Sequence, residues 1–287
     1  MSFRTLLIES RTKLECSLNC LICRRGDEQI KILLDEIQTI IIDSLQVSMT
    51  SALISACVEK KIKIIFTDAT HQPIGEVVGY NNNFYGYRKI KEQIGFSKEI
   101  KDYLWKRIIE EKIKNQAANL KEDTKKNQLL DYANNVLDGD ITNREGHAAK
   151  VYFNTIFGND FSRKSDCLIN RFLNYGYSIL LSTISKEIKA YGYLTELGIH
   201  HIGESNQFNL SCDLIEPLRP LVDAYVLNEN INEDNYKYIF LQMLTKNVIY
   251  NGKNFILSNA IHLYVEDMIN FLRSGDEEKI RFILYEL

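Results

Sequence analysis

Residues 196–220 read ELGIHHIGESNQFNLSCDLIEPLRP and gather His200, His201, Glu204, Asp213 and Glu216 in a chain with five histidines and three prolines in all. Imidazole nitrogens and carboxylate oxygens together suit a hard divalent cation, with coordination left over for phosphate oxygens. The same composition also suits a polar loop between two helices. His201 and Glu216 stand fifteen positions apart, Asp213 precedes Glu216 by one helical turn, and Pro217 fits the first turn of a following helix. One histidine in a helical protein is more often a hydrogen-bonded polar residue than a ligand, so the signal lies in the three side chains together.

A second stretch, TNREGHAAKVYFNTIF at 142–157, places Glu145 at a helix start on the face that also carries Ala148, Ala149, Tyr152 and Ile156. Two readings stand side by side. Thr142 and Glu145 fit a capping box, in which the glutamate only returns a hydrogen bond to the backbone. Alternatively the carboxylate points inward with the alanines and the aromatic ring, where an uncompensated charge is costly and a cation or hydrogen-bonding partner is expected. His147 faces away from Glu145 on this helix, so it is left out of the candidate site, as is His200.

A third pattern, Cys16, Cys20 and Cys23, spells the C-x3-C-x2-C spacing of radical enzymes that hold an iron-sulfur cluster and S-adenosylmethionine. Such a cluster needs thiolates converging from a loop. Strand alternation places Cys16 and Cys20 on one face and Cys23 on the other, which favours buried structural thiols.

The elements that must position these residues change character along the chain. Leu14, Cys16, Leu18, Cys20 and Ile22 alternate with polar residues as in a half-buried strand, RRGDEQ supplies a turn, and Ile30, Ile32 and Leu34 resume the apolar parity. EIQTIIIDS and KKIKIIFTDA read as further strands around a short helical pattern at Leu53, Ile54 and Cys57. HQPIGEVVGYNNNFYGYRK reads as loop or linker, its aromatics beside Arg88 being suited to stacking on nucleic acid. From Ser97, a candidate N-cap, the stripe Ile100, Leu104, Ile108, Ile109, Ile113 and Ala117 predicts a long helix. Helical patterns follow at 142–157, 164–192, 217–228, 233–248 and 258 to the end. The fold class expected is therefore α+β, with an N-terminal β-rich domain at 1–80, a linker at 81–96 and a larger all-α catalytic domain at 97–287.

The 287 residues are 45% hydrophobic, enough for real cores, and contain no apolar run near the roughly 20 residues of a membrane span. MSFRTLLIES lacks the features of a signal peptide, and six irregularly spaced cysteines do not make a secreted disulfide framework. A cytoplasmic protein without membrane association is expected. The net charge of -3 conceals a local excess: residues 88–126 carry twelve Lys or Arg against seven acids. A solvated mixed-charge face is the plainer reading of that bias, and a surface for a nucleic-acid backbone the more specific one.

In these residues the chain resembles the CRISPR-associated spacer-acquisition integrases, the Cas-one family. Gly192, Gly198 and His201 fall on that family's first block, Asp213, Leu214, Glu216, Arg219 and Pro220 on its D-L-x-E-x-x-R-P block, and Glu145, Ala149, Tyr152 and Phe153 on its upstream helix. Thr195, Ile199 and Asn209 depart from the family's proline, phenylalanine and serine, and none of the three is a ligand. The compact helical tail looks most like the type II branch.

The resemblance implies that Glu145, His201 and Glu216 bind Mn²⁺ or Mg²⁺, with Asp213 assisting. It implies an integrase and endonuclease that joins the 3′-hydroxyl ends of short foreign double-stranded DNA, the spacer precursor, into a CRISPR repeat by transesterification. It also implies a homodimer, formed through the N-terminal domain and bridged by a small adaptation subunit into a heterohexamer-like complex. The alternative is a DNA-binding scaffold without catalytic activity; a radical iron-sulfur enzyme is the remote one.

Overall fold

Isoleucine dominates residues 37–42 and 62–65, and a run of β-branched side chains packs well on a pleated surface buried on both faces. In the computed structural model of the chain, which describes residues 4–69, 71, 73–77, 79 and 86–285, residues 37–42 and 63–65 lie in parallel strands. The chain divides into two compact units, Met1–Asn82 and Asn83–Leu287.

The first unit contains two four-stranded sheets. One has β1 (Arg4–Ile8), β5 (Ile37–Ile42) and β7 (Lys63–Thr67) in parallel, with β8 (Pro73–Glu76) antiparallel at its edge. The other runs β4 (Glu28–Leu33), β3 (Cys20–Arg25), β2 (Lys13–Ser17) and β6 (Ser48–Met49). The helix α1 (Ser51–Glu59) starts at Thr50, whose hydroxyl accepts the Leu53 N–H. Leu14, Leu21, Leu34, Ile37, Ile40, Ile42, Leu53, Cys57, Ile62 and Ile64 form the core.

Three sequence expectations change here. The single strand expected over 14–22 is a hairpin, because Leu18 and Asn19 adopt positive φ (50° and 60°) and form a two-residue turn between the paired Ser17 and Cys20. That turn resets the alternation, so Cys16 and Cys23 both pack on the core while all six cysteines remain free thiols. Part of the stretch read as loop, Pro73–Glu76, is the edge strand β8. The Phe84 and Tyr85 part of the stacking loop lies outside the described residues.

The second unit is mainly helical. After α2 (Gly86–Ile94) the long α3 (Lys98–Ala118) begins at Ser97, whose hydroxyl caps the Ile100 N–H. Leu104, Ile108, Ile109, Ile113 and Ala117 are fully buried, as the stripe predicts, and Trp105, Lys112 and Gln116 join them. Around α3 stand α4 (Asp123–Asn134), α5 (Arg144–Phe157), α6 (Leu168–Ala190), α7 (Asn209–Ile215), α8 (Arg219–Asn228), α9 (Tyr236–Met243) and α10 (Leu257–Ser274). A single 3₁₀ turn, Glu216–Leu218, joins α7 to α8 without leaving the right-handed helical region.

This unit is not entirely α. Between α9 and α10 the strands β9 (Asn247–Tyr250) and β10 (Lys253–Ile256) form a hairpin about Asn251 and Gly252, both at positive φ. The last helix also stops short of the terminus: Gly275, at φ 70°, returns its N–H to the Phe271 carbonyl, and Leu284 then bridges to Ile249. The fold class is nonetheless α+β, with strands in the N-terminal unit and a predominantly helical remainder.

Candidate active site

Glu145 sits in the first turn of α5, but Thr142 does not cap that helix. Asn143 is the N-cap, at φ 51°, and its side-chain oxygen accepts the Gly146 N–H. The Asp140 carboxylate accepts the next two orphan donors, from Arg144 (2.8 Å) and Glu145 (3.0 Å). With the helix start satisfied this way, the Glu145 carboxylate is released from capping. It turns to α3, where Lys112 Nζ donates to its Oε1 at 2.6 Å.

Glu216 arrives at the same lysine from the opposite direction. Its Oε2 forms an ion pair with Lys112 Nζ at 2.5 Å, and its Oε1 accepts from Arg219 Nε at 2.8 Å. The position is fixed by a ladder along α3. Asn115 donates to the Pro217 carbonyl, and Asn119 donates to the Pro220 carbonyl and to the Tyr152 hydroxyl. Lys112, Asn115 and Asn119 thus tie the 216–220 segment and α5 to one face of α3. Arg219 is held on its far side over the Tyr177 ring, 4.7 Å from the centroid.

His201 comes from the irregular stretch between α6 and α7. Buried Asp213, on α7, organises that stretch: its Oδ2 accepts the backbone N–H of Ile199 (2.6 Å) and His200 (3.2 Å), and its Oδ1 accepts the N–H of His201 (3.0 Å). The same Oδ1 also accepts from His201 Nδ1 at 2.7 Å, which leaves Nε2 as the ring nitrogen Asp213 does not engage. Gly198 is required by this packing, since a Cβ there would lie 2.3 Å from the His201 carbonyl oxygen and 2.7 Å from Asp213 Oδ2. Asn209 spans the loop from inside, donating to the Glu196 and Gly203 carbonyls. Gln93 on α2 holds its entrance through Leu194 and Leu197. Trp105 stacks flat on His200 (4.2 Å, 3°) and meets the edge of His201.

The electrostatics follow from burial. Desolvation opposes the charge on Glu216, yet Arg219 and Lys112 outweigh it and bring the carboxyl down to about 2. Lys112 is likewise penalised by burial, and Glu216 and Glu145 hold it above the ordinary lysine value. The hydrogen bond to Asp213 raises His201 above an ordinary histidine, against its partial burial, and the charges of Glu216 and Glu145 add to that rise.

The fold therefore brings Glu145 and Glu216 onto one cation, with His201 within reach of both fields but fastened to Asp213. Among the described residues no three His, Cys, Asp or Glu side chains are grouped tightly enough to hold a metal ion as they stand. The donor set nonetheless suits a divalent cation. Two carboxylates already share one positive centre, and the imidazole is oriented by a carboxylate on its other nitrogen, as metal-binding histidines are.

Sequence reasoning missed Lys112, counting it with the surface charges of 88–126. Its signal was placement: Lys112 follows Ile108 by four and Ile109 by three, inside the apolar stripe. Several neighbours in that run have carboxylate partners in the chain, Lys98 with Asp102, Lys106 with Asp138 and Arg107 with Glu110. No described helix is long and apolar enough to cross a membrane.

Comparison with known proteins agrees with this architecture. Residues 6–240 match the family CRISPR associated protein Cas1. The CRISPR-associated endonuclease Cas1 of Neisseria meningitidis serogroup C is 35% identical over 231 residues, covering 79% of this chain and 76% of the relative. Among solved structures, a casposase bound to integration product superposes with a TM-score of 0.75 at 21% identity, over 96% of this chain and 92% of that one. A Cas6-RT-Cas1–Cas2 complex also gives 0.75, at 19% identity, over 96% of this chain and 36% of that one. A match over most of the length, together with a relative this similar, establishes that the chain belongs to the Cas1 family of CRISPR-associated proteins.

Proposed function

We propose that this chain is a metal-dependent DNA integrase and endonuclease of CRISPR adaptation, joining the 3′-hydroxyl ends of short duplex DNA into a repeat by transesterification. The observation that carries the reading is the convergence of Glu145 and Glu216, 71 positions apart in sequence, on a single buried cation beside an oriented imidazole. Glu145, Glu216 and His201 Nε2 would hold Mn²⁺ or Mg²⁺. A divalent ion supplies neutralisation of the negative charge that builds on a phosphate under attack.

The chain's own residues account for the remainder. Asp213 fixes the imidazole plane and accepts from Nδ1, so that in the neutral ring the lone pair is presented on Nε2. Arg219, hydrogen-bonded to Glu216 Oε1, keeps that carboxylate ionised at any physiological pH. Duplex DNA, a second copy of this chain and a small Cas2-like subunit are the partners this reading requires; the structural neighbours described as a Cas6-RT-Cas1–Cas2 complex and as a casposase bound to integration product favour it.

A DNA-binding scaffold without catalysis is the competing reading, and Lys112 favours it by sitting where the ion would. Joining of a labelled duplex to a repeat-bearing plasmid in Mn²⁺ separates the two. The parent is expected to join, and Glu145→Ala, shown to be folded and DNA-bound, to lose at least ~100-fold in rate. Equal joining by that variant defeats the catalytic assignment.

A further inference from the structure

Lys112 projects from the middle of α3 into the interior, and its side chain is only 9% exposed between Glu145 (2.6 Å) and Glu216 (2.5 Å). A lysine is rarely placed so deep without a charge to meet, and here it meets two. With Arg219 on the other oxygen of Glu216, the cluster holds two positive and two negative groups and is neutral in itself. Adding a divalent cation to a neutral cluster in which Lys112 and Glu216 are buried and Glu145 and Arg219 partly exposed leaves an excess of two positive charges, unfavourable where solvent screens it poorly. Two things relieve that excess: withdrawal of the lysine ammonium from the carboxylates, and arrival of an anion.

We infer that Lys112 is a resident counter-ion which keeps the two carboxylates gathered while no metal is bound and makes uptake of a divalent cation conditional on a DNA phosphate. The inference rests on the metal-dependent reading proposed above. The phosphate serves in two ways. It offsets the added positive charge, and it gives the displaced ammonium a new acceptor at the end of a flexible four-carbon stem. Lys112 is then a positioning residue whose effect on the metal has a definite sign. A lysine that only propped the carboxylates in place would, when removed, let them repel one another and weaken cation binding. A counter-ion competing for the same oxygens would, when removed, strengthen it.

The test is Mn²⁺ affinity, read from the free-ion electron paramagnetic resonance signal, for the full chain with and without a saturating short DNA duplex. In the parent, the duplex is expected to tighten Mn²⁺ by at least ~10-fold, with Mn²⁺ tightening the duplex by the same factor. Lys112→Met is expected to bind Mn²⁺ ~10-fold or more tightly than the parent without DNA, and to gain less than ~3-fold from the duplex. Should Lys112→Met be unfolded when metal-free, the same inference requires Mn²⁺ to restore its thermal transition.

Equal Mn²⁺ affinity of the parent with and without duplex overturns the inference, as does a Lys112→Met that binds Mn²⁺ no better than the parent or is not rescued by it. Those results leave the metal-dependent reading in place so long as the parent binds Mn²⁺ and Glu216→Gln abolishes it. Failure of the parent to take up Mn²⁺ even with duplex present defeats both.

Discussion

Asp213 reaches His201 twice through one oxygen: Oδ1 accepts both the backbone N–H and Nδ1 of the same residue, while Oδ2 takes the two preceding backbone donors. The carboxylate therefore fixes the backbone that carries the imidazole and the rotation of the ring with one group. An amide cannot do this, because only one of its two terminal atoms accepts.

Asp213→Asn is accordingly expected to destabilise the chain by about 3 kcal/mol, since buried backbone donors lose an anionic acceptor. Urea denaturation measures the loss. An unchanged midpoint and slope would mean that the loop is held by other contacts.

The pH dependence of His201 follows from the same bond. Its folded pKa is raised, so the stabilisation it contributes is fully present below the ordinary histidine value and disappears as pH rises through the raised one. The stability gap between parent and His201→Gln should therefore be widest below the ordinary histidine value and narrow as pH rises through the raised one. Histidine proton shifts by NMR give a second reading: His201 titrates above an ordinary histidine in the parent and falls toward it in Asp213→Asn.

Glu216 behaves with the opposite sign. Its folded value, near 2, lies below the ordinary 4.5, so its contribution is present above the ordinary value and is lost as pH falls through about 2. Glu216→Gln leaves Lys112 and Arg219 without their buried partner and is expected to cost roughly 3–5 kcal/mol near neutrality. Acid titration of both proteins by circular dichroism should show that difference shrinking as the pH falls toward 2.

Gly198→Ala tests the tightness of the loop. The added methyl would stand 2.3 Å from a backbone oxygen and 2.7 Å from Asp213, neither of which is a yielding side-chain tip. The expected cost is at least ~2 kcal/mol with displacement of His201, visible as a lowered melting temperature and a changed His201 resonance. A neutral substitution would show the loop to be slack.

The helices that carry the candidate site are legible because they are long and periodic: the stripe from Leu104 to Ala117 is buried as its spacing requires, and so are Ala148 and Tyr152 on α5, while Ala149 and Ile156 are half-buried. Asp213 and Glu216 one turn apart survive because the chain stays helical across Pro217, a residue suited to a helix start. Short-range turn chemistry was harder to read. Leu18 gives no sign of adopting positive φ, so the alternation reads as one strand where the chain forms a hairpin. Asn251-Gly252 does carry the sign, but helical periodicity up to residue 248 overrode it. The capping box at Thr142 was locally reasonable and lost to Asn143 and Asp140. Lys112 was invisible to charge counting, because what distinguishes it is its angular position on α3 and the two carboxylates supplied by distant sequence.

The stretch from Leu194 to Phe208 has neither helix nor strand, yet Gln93, Asp213 and Asn209 fasten it at residues 194, 196, 197, 199, 200, 201 and 203. Segments of this composition ordinarily wander, and immobilising them when a substrate docks would cost about 1–2 kcal/mol per residue in lost backbone freedom. Here that ordering is completed when the polypeptide folds. The orientation that Asp213 gives the imidazole is therefore set by folding and needs no further ordering of this stretch.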